Sequence, residues 1–202
     1  MKTLLKTVPT PAALAAACAA VLLSACSGMP SWSLFGSRSD AASGFSQDSL
    51  PDAVKVPAGH QVVLETVGVG EITYECRAKA SAPGTFEWVF VGPRADLRSR
   101  SGAKLGLYYG PPATWAAIDG SKVTGTQLAV APAGAGNIPA QLVKANQAAG
   151  WGEGAGTMVG ITYVQRAATQ GGVAPDSPCD SAGVGRKEVV RYQADYIFWK
   201  AA

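Results

Sequence analysis

Alternation of apolar and polar residues is the feature that most restricts how this chain can fold. It is clearest near the end of the chain, where every second residue is apolar or aromatic: Val190, Tyr192, Ala194, Tyr196 and Phe198. Arginine, glutamine and aspartate occupy positions between them. Because successive side chains of a β-strand point to opposite faces of a sheet, this pattern predicts half-buried strands.

Similar runs begin at about residue 56 and are separated by turn sequences, among them Gly68-Val-Gly70, Gly110-Pro-Pro112 and Asp119-Gly120-Ser121. Short strands at this spacing predict an all-β fold, an antiparallel sandwich or barrel, rather than alternating strands and helices. Residues 138–149 are ambiguous, because they fit either one short helix or a bent strand. A capping asparagine, an early proline and a terminal glycine favour the helix.

The N-terminal 26 residues have the three zones of a bacterial lipoprotein signal. Lysines precede an apolar run from Ala12 to Leu23, which is shorter than the ~20 apolar residues of a transmembrane helix. The run ends in Leu23-Ser24-Ala25-Cys26, which predicts cleavage before Cys26 and lipidation of its thiol. Ordinary secretion, with cleavage at an Ala-x-Ala site, is the alternative. Ser27 follows where aspartate would indicate retention in the inner membrane, which favours the outer membrane in a host that has one.

These features divide the chain into three parts. Residues 1–25 are the expected signal peptide, and residues 26–55, rich in Ser, Gly, Ala and Asp, are the expected flexible tether. Residues 56–200 are expected to form a single all-β domain. The predicted location is therefore the cell envelope, with the membrane as a partner through the lipid anchor.

The charge of the mature chain argues against nucleic acid as a partner. Two of the 17 Lys and Arg residues lie in the signal and none of the 14 Asp and Glu residues do, so the mature balance is 15 minus 14, or +1. Nucleic-acid binding depends on clustered basic residues. The glycines of 150–156 lack the Lys-Ser/Thr of a phosphate-binding loop and follow no βαβ unit, so no nucleotide is expected. No other cofactor is expected.

Cysteine use agrees with an oxidising compartment. Of the four cysteines, Cys18 is removed with the signal and Cys26 carries lipid, which leaves Cys76 and Cys179. Two cysteines in a secreted domain favour a disulfide. Cys76 also shares one strand face with Ile72 and Tyr74, so its side chain is expected on the apolar side.

The domain carries an ordered set of motifs. They are Tyr74-Glu75-Cys76, Trp88, the stretch from Tyr109-Gly110-Pro111 to Trp115, Asp119 to Val123, Ile138-Pro139, Ile161 to Arg166, Thr169 to Pro175, Cys179 and Tyr192 to Tyr196. In this order they resemble the domain-of-unknown-function family 3455 over residues 55–199. The resemblance implies a secreted all-β domain with one disulfide, and it implies no activity. Two positions depart from the family pattern: Tyr108 stands where histidine is usual, and Ala140 stands where tryptophan often follows Ile-Pro.

Residues suited to catalysis are few. His60 is the only histidine, so neither a histidine metal pair nor a Ser-His-Asp triad is expected, and no metal site is predicted. A carbohydrate hydrolase would need two carboxylates facing each other across a cleft. The candidates for such a pair are Glu87, Asp96, Asp119 and Glu153.

Binding residues fall into two groups. Arg94, Arg98, Arg100 and Lys104 form a basic cluster, in which Arg98 and Arg100 are candidates for anionic groups; a solvated turn is the simpler interpretation. The rings of Tyr108, Trp115 and Trp151 lie in or beside Gly/Pro turns, where exposed rings would stack on sugars. Core packing of these rings is the favoured interpretation, and alternation on the strand places Tyr109 inside.

The expected function is therefore binding or structural interaction with an envelope glycan or a protein partner. The alternative is a hydrolase that acts on envelope or extracellular carbohydrate through paired carboxylates.

Overall fold

The computed structural model describes residues 44–146 and 156–202, and the predicted signal peptide, Cys26, Trp151 and Glu153 lie outside them. Eight antiparallel strands, each paired with its neighbours in chain order, form a sheet that closes into a barrel when the last strand pairs with the first. The prediction of an all-β fold is confirmed, and the barrel is the form that the sheet takes. No helix in the described ranges is long and apolar enough to cross a membrane. The strands are β1 (His60–Ala78), β2 (Phe86–Arg98), β3 (Lys104–Tyr109), β4 (Thr114–Ala117), β5 (Lys122–Ala131), β6 (Ala140–Ala145), β7 (Tyr163–Gly171) and β8 (Lys187–Ala201).

The ambiguous segment near residues 138–149 contains a strand, β6, over Ala140–Ala145. β6 pairs with β5 on one side and with β7 on the other. Leu142 and Val143 are both buried, although they face opposite sides of the sheet. Because both faces of β6 are covered, its sequence lacks the alternation that marks a half-buried strand. Residues 147–149 lie outside the described residues.

Aromatic rings fill the interior of the barrel. Trp115 stacks on Tyr108 with 4.9 Å between ring centroids, and Tyr196 lies 4.9 Å from Tyr108. Gly68 makes room for this cluster, because a Cβ atom at that position would lie 2.4 Å from the ring of Tyr196. Alternation along β8 places Tyr196 and Phe198 in this core, as the sequence pattern predicts.

A second apolar cluster lies on the outer face of the sheet, under a segment that precedes β1. We call residues 45–56 the N-terminal strap. Val54 and Val56 of the strap are buried against Ile197 and Trp199 of β8. The amide of Gln165, also fully buried, donates to the carbonyl of Val54.

The strap departs from the tether predicted for residues 26–55. Over its described part the predicted tether does not run free, because its apolar residues at positions 45, 50, 54 and 56 pack against the barrel. These residues are spaced too widely among Ser, Asp and Gln to produce a periodic pattern. Composition alone therefore indicated a linker where a docked segment lies.

The disulfide between Cys76 and Cys179 is present, with 5.5 Å between the Cα atoms, and that prediction is confirmed. The Cys76 side chain is fully buried at the end of β1, as its strand face predicts. Since neighbouring strands are antiparallel, the connections alternate between the two ends of the barrel. We call the end that holds Cys76 the disulfide end. The connections at this end comprise residues 79–85, 110–113, 132–139 and 172–186.

Candidate functional site

The two predicted binding rings that the structure describes are core residues. Tyr108 is 6% exposed and Trp115 is 1% exposed, so neither ring is free to stack on a ligand from solvent. Core packing, the favoured interpretation of these rings, holds for both. The predicted orientation of β3 is wrong, however, because Gly106 and Tyr108 are buried whereas Tyr109 is only half-buried. Trp151 lies outside the described residues.

Three members of the predicted basic cluster, Arg98, Arg100 and Lys104, form ion pairs with nearby carboxylates. Arg98 and Lys104 both contact Asp96, at 2.6 and 2.7 Å, and Arg100 contacts Asp195 at 2.9 Å. Their charges are therefore largely compensated, and surface pairs of this kind add little stability. The turn of residues 99–103 lies at the end of the barrel opposite the disulfide end. Arg98 and Arg100 are thus remote from the cavity described below.

The candidate catalytic carboxylates that the structure describes, Glu87, Asp96 and Asp119, each contact basic or hydrogen-bonding neighbours. Asp119 accepts hydrogen bonds from the hydroxyl and backbone N–H groups of Ser121 and Thr157, which hold its pKa far below its usual range. Hydrogen bonding to Lys104 lowers the pKa of Asp96. Glu87 contacts Lys79 at 3.5 Å. A glycosidase acid needs a raised pKa, and the two shifted carboxylates move in the other direction.

A cavity of about 430 Å³ opens at the disulfide end of the barrel. Its walls come from the inward faces of six strands or from the connections next to them. The lining residues are Ile72, Tyr74, Phe90, Tyr108, Ala113, Gly125, Gln127, Ile138, Pro139, Gln141, Val143 and Arg166. Its volume lies within the ~300–1,000 Å³ typical of small-molecule sites, and barrel mouths commonly hold such sites.

Phe90 supplies an exposed ring at the rim of this cavity. The ring is 51% exposed and meets Tyr74 edge to face, with centroids 6.1 Å apart. A bulge places it there: Thr73 pairs with Gly92 and Tyr74 pairs with Phe90, so Val91 has no partner on β1. Because of this extra residue, Phe90 faces inward, and so does every second residue in the part of β2 that follows the bulge.

Tyr74 fixes the neighbouring wall. Its hydroxyl donates to the carbonyl of Gly172 at 2.8 Å. Gly172 has φ +82°, and a Cβ atom there would lie 2.9 Å from Tyr192 Cβ, so only glycine fits between the connection and the core. This hydrogen bond joins the Thr169-to-Pro175 motif to the Tyr74-Glu75-Cys76 motif.

Arg166 is the one charged residue among those that line the cavity. Its Nε and Nη2 atoms donate to the carbonyl of Pro139, at 3.1 and 2.9 Å. The amides of Gln127 and Gln141 bond to each other across the β5–β6 pair. Burial raises the pKa of Tyr74 and of Tyr108, so both phenols are protonated at neutral pH. The cavity therefore combines an apolar ring with neutral polar groups and one cation.

The sequence patterns did not identify Phe90 or Arg166 as site residues. Phe86, Trp88 and Phe90 alternate in the sequence and share one face of β2, so the pattern gives no sign that the Phe90 ring is exposed. Tyr163 continues the sequence alternation of Val159 and Ile161, yet it packs in the outer cluster and leaves Val164 and Arg166 inside. Side chains two residues apart on a strand share a face, so the inward position of Val164 implies that Arg166 also faces inward.

Two other depressions are less suited to ligand binding. One of about 650 Å³ lies over Gly70 on the outside of the sheet and is widely open to solvent. The other, about 370 Å³, lies beside His60, whose ring packs edge to face on Tyr163. No group of three or more His, Cys, Asp or Glu residues suited to a metal ion occurs within residues 44–146 and 156–202.

Comparison with known proteins gives one match. The family model described as "Protein of unknown function (DUF3455)" matches residues 57–200, which is most of the chain and all eight strands except the last residue of β8, Ala201. No curated protein and no solved structure matches the chain.

Proposed function

Since the chain belongs to the DUF3455 family of proteins of unknown function, we propose its role from its own cavity: it is a lipid-anchored envelope protein that binds a glycan at the disulfide end of its barrel. The observation that carries the proposal is the exposed Phe90 ring at the rim of a cavity lined by amide, phenol and guanidinium groups. A sugar ring has apolar C–H faces and hydroxyl edges. An aromatic ring beside hydrogen-bonding side chains complements both.

A glycan fits this site better than a protein partner does. A stable protein interface covers about 800 Å² on each partner, usually on a fairly flat surface with a central apolar anchor. Here the apolar and polar groups converge inside a recess instead. A protein that binds the chain without involving the cavity would contradict the proposal.

Binding without hydrolysis is the form of the proposal that the site favours. The carboxyl groups of glycosidases lie about 5–9.5 Å apart on either side of the scissile bond. No aspartate or glutamate belongs to the described lining of the cavity. The hydrolase alternative therefore has no support from this site.

The membrane anchor rests on Leu23-Ser24-Ala25-Cys26. Diacylation of the Cys26 thiol together with acylation of its new amino group would supply more than one chain, enough for stable anchoring. The outer membrane is the proposed location in a host that has one, because Ser27 follows the cysteine.

Cys26→Ser should release the protein from the membrane fraction. Without the thiol the lipid cannot be attached, and the remaining chain has no acyl group to hold it. The measurement is fractionation of cells that express the full-length protein, followed by detection of the product in membrane and soluble fractions. Cys18→Ser is the matched control, because it changes a cysteine within the signal and should leave the protein in the membrane. A Cys26→Ser variant that stays as firmly membrane-bound as the control would refute the anchor.

Phe90→Ala should weaken glycan binding about threefold to tenfold, the loss expected when one aromatic contact is removed. The measurement is a thermal-shift and calorimetric titration of the full-length protein with peptidoglycan fragments, lipopolysaccharide oligosaccharides, and neutral and acidic polysaccharides. Ile118→Ala is the control, because Ile118 is 74% exposed and lies in the turn after β4, at the other end of the barrel. The proposal is wrong if no member of the panel binds saturably. It is equally wrong if Phe90→Ala and Ile118→Ala have the same effect on binding.

A further inference from the structure

The charge inside the cavity narrows the class of ligand. We infer that the ligand is an acidic sugar whose carboxylate binds the guanidinium of Arg166 while its ring packs on Phe90. This inference rests on the proposed glycan-binding function of the same cavity and adds to it the charge of the ligand.

Arg166 is held in a fixed position with donors to spare. It pairs with Gln141 and Tyr196 in the sheet, and its side chain lines the cavity. The carbonyl of Pro139 accepts from Nε and Nη2. An arginine side chain has five N–H donors, so two are used and three remain for a ligand. A guanidinium whose orientation is already set loses little conformational freedom on binding a planar carboxylate.

Within residues 44–146 and 156–202, no acidic side chain forms an ion pair with Arg166. Arg98 and Arg100, by contrast, form such pairs. Its charge lowers the pKa of the buried Tyr108, against the larger effect of burial, so its field extends into the aromatic interior. A partly enclosed cation without a partner attracts an anion more strongly than a solvated surface arginine does.

One carboxylate matches this site better than a phosphate does. A phosphate monoester carries about −1.5 to −2 charges near neutral pH, whereas Arg166 supplies a single positive charge. The other polar groups of the wall are the amides of Gln127 and Gln141 and the phenols of Tyr74 and Tyr108. These neutral groups suit hydroxyls rather than a second anionic oxygen. A uronic acid, with one carboxylate and several hydroxyls, has that combination.

Matched acid and ester ligands test the inference. The probes are short galacturonate and glucuronate oligosaccharides and their methyl esters, which keep the sugar ring and remove the charge. Calorimetry with the full-length protein should show at least one of the acids bound about tenfold or more tightly than its ester, as charge-assisted hydrogen bonds imply. Arg166→Gln should abolish this preference, whereas Arg100→Gln, which removes an arginine at the opposite end of the barrel, should preserve it.

One further variant, together with Phe90→Ala, separates ligand binding from folding and separates this inference from the proposed function. Arg166→Lys keeps the positive charge but loses the planar guanidinium, so it should retain part of the preference for the acid over its ester. The thermal unfolding midpoint of each variant shows whether the barrel is intact. Acids and esters that bind equally, with Phe90→Ala weakening both, would overturn the inference and leave glycan binding standing. A preference for acid that survives in a folded Arg166→Gln variant would also overturn it. Binding of neither class, with no saturable ligand in the wider panel, would remove the proposed function as well.

Discussion

Removal of the Cys76–Cys179 disulfide is expected to lower the free energy of unfolding by about 3–5 kcal/mol. The bond joins residues separated by 103 positions, so it restricts a large part of the unfolded chain. Cross-links that close longer loops restrict the unfolded state more, which is the main source of the expected effect. For a domain of this size the unfolding midpoint should fall by roughly 10 °C. Thermal and denaturant unfolding of the oxidised and reduced protein measures both quantities.

Two variants separate the cross-link from the packing of its sulfur atoms. Cys179→Ala breaks the bond and leaves a thiol at position 76, which is fully buried, whereas Cys76→Ala/Cys179→Ala removes that thiol too. The single variant should account for most of the loss. Oxidised wild type and Cys179→Ala with equal unfolding free energies would show that the disulfide adds no stability.

The same bond should also affect the cavity. Cys179 lies in the connection 172–186, which contributes the Gly172 carbonyl that orients Tyr74. Trp88 donates to Ser177 in this connection, and Arg186 lies over the Trp88 ring at 5.2 Å. These contacts would continue to hold the connection in a reduced protein. Reduction should therefore weaken the free energy of ligand binding by less than it lowers the free energy of unfolding.

Trp115→Ala is expected to cost about 3–5 kcal/mol of folding free energy, as is usual when a large buried ring is removed. The ring lies between Tyr108, Tyr196 and Phe198, with centroid distances of 4.9, 6.0 and 6.5 Å. Its removal would leave a void in the middle of the barrel that the neighbouring rings cannot fill without moving. Denaturant unfolding of the variant beside wild type gives the change in free energy.

Trp115→Phe is the matched control for this prediction. The Nε1 atom of Trp115 is buried and has no hydrogen-bond partner among the described residues, so replacing the indole with phenyl removes no hydrogen bond. We expect this variant to lose no more than about 2 kcal/mol. A folded Trp115→Ala protein with wild-type stability and reduced glycan affinity would instead identify Trp115 as a binding residue and contradict its assignment to the core.

The strands could be predicted from the sequence wherever one face is buried and the other is wet. β8 meets that condition as far as Asp195, and the inward residues Tyr192 and Ala194 match the alternation there. The alternation continues inward through Tyr196 and Phe198, where both faces of the strand are buried. Alternation is uninformative for β6, where Leu142 and Val143 are buried on opposite faces. The orientation of β3 was wrong for a related reason: Gly106 carries no side chain to mark its face, and Leu105 and Leu107 are half-buried on the other.

The candidate site was harder to predict because it depends on strand register. One unpaired residue at Val91 changes which residues of β2 face inward on either side of it, and sequence periodicity does not reveal a single inserted residue. Arg166 becomes an inward residue only when β7 begins at Tyr163. The disulfide could be predicted without knowledge of the strand register, because the predicted loss of Cys18 with the signal and the predicted lipidation of Cys26 leave Cys76 and Cys179 to pair with each other.

Closure of the barrel has a consequence for the order in which the protein can be completed. β1 is the longest strand, and residues 60–75 pair along one side with residues 187–201. Synthesis runs from the N-terminus, so that side of β1 has no partner until β8 has been made. An open edge of this length is a place where nascent chains associate wrongly. The step that closes the barrel is therefore the addition of β8, and a chain that lacks β8 forms a sheet with two free edges.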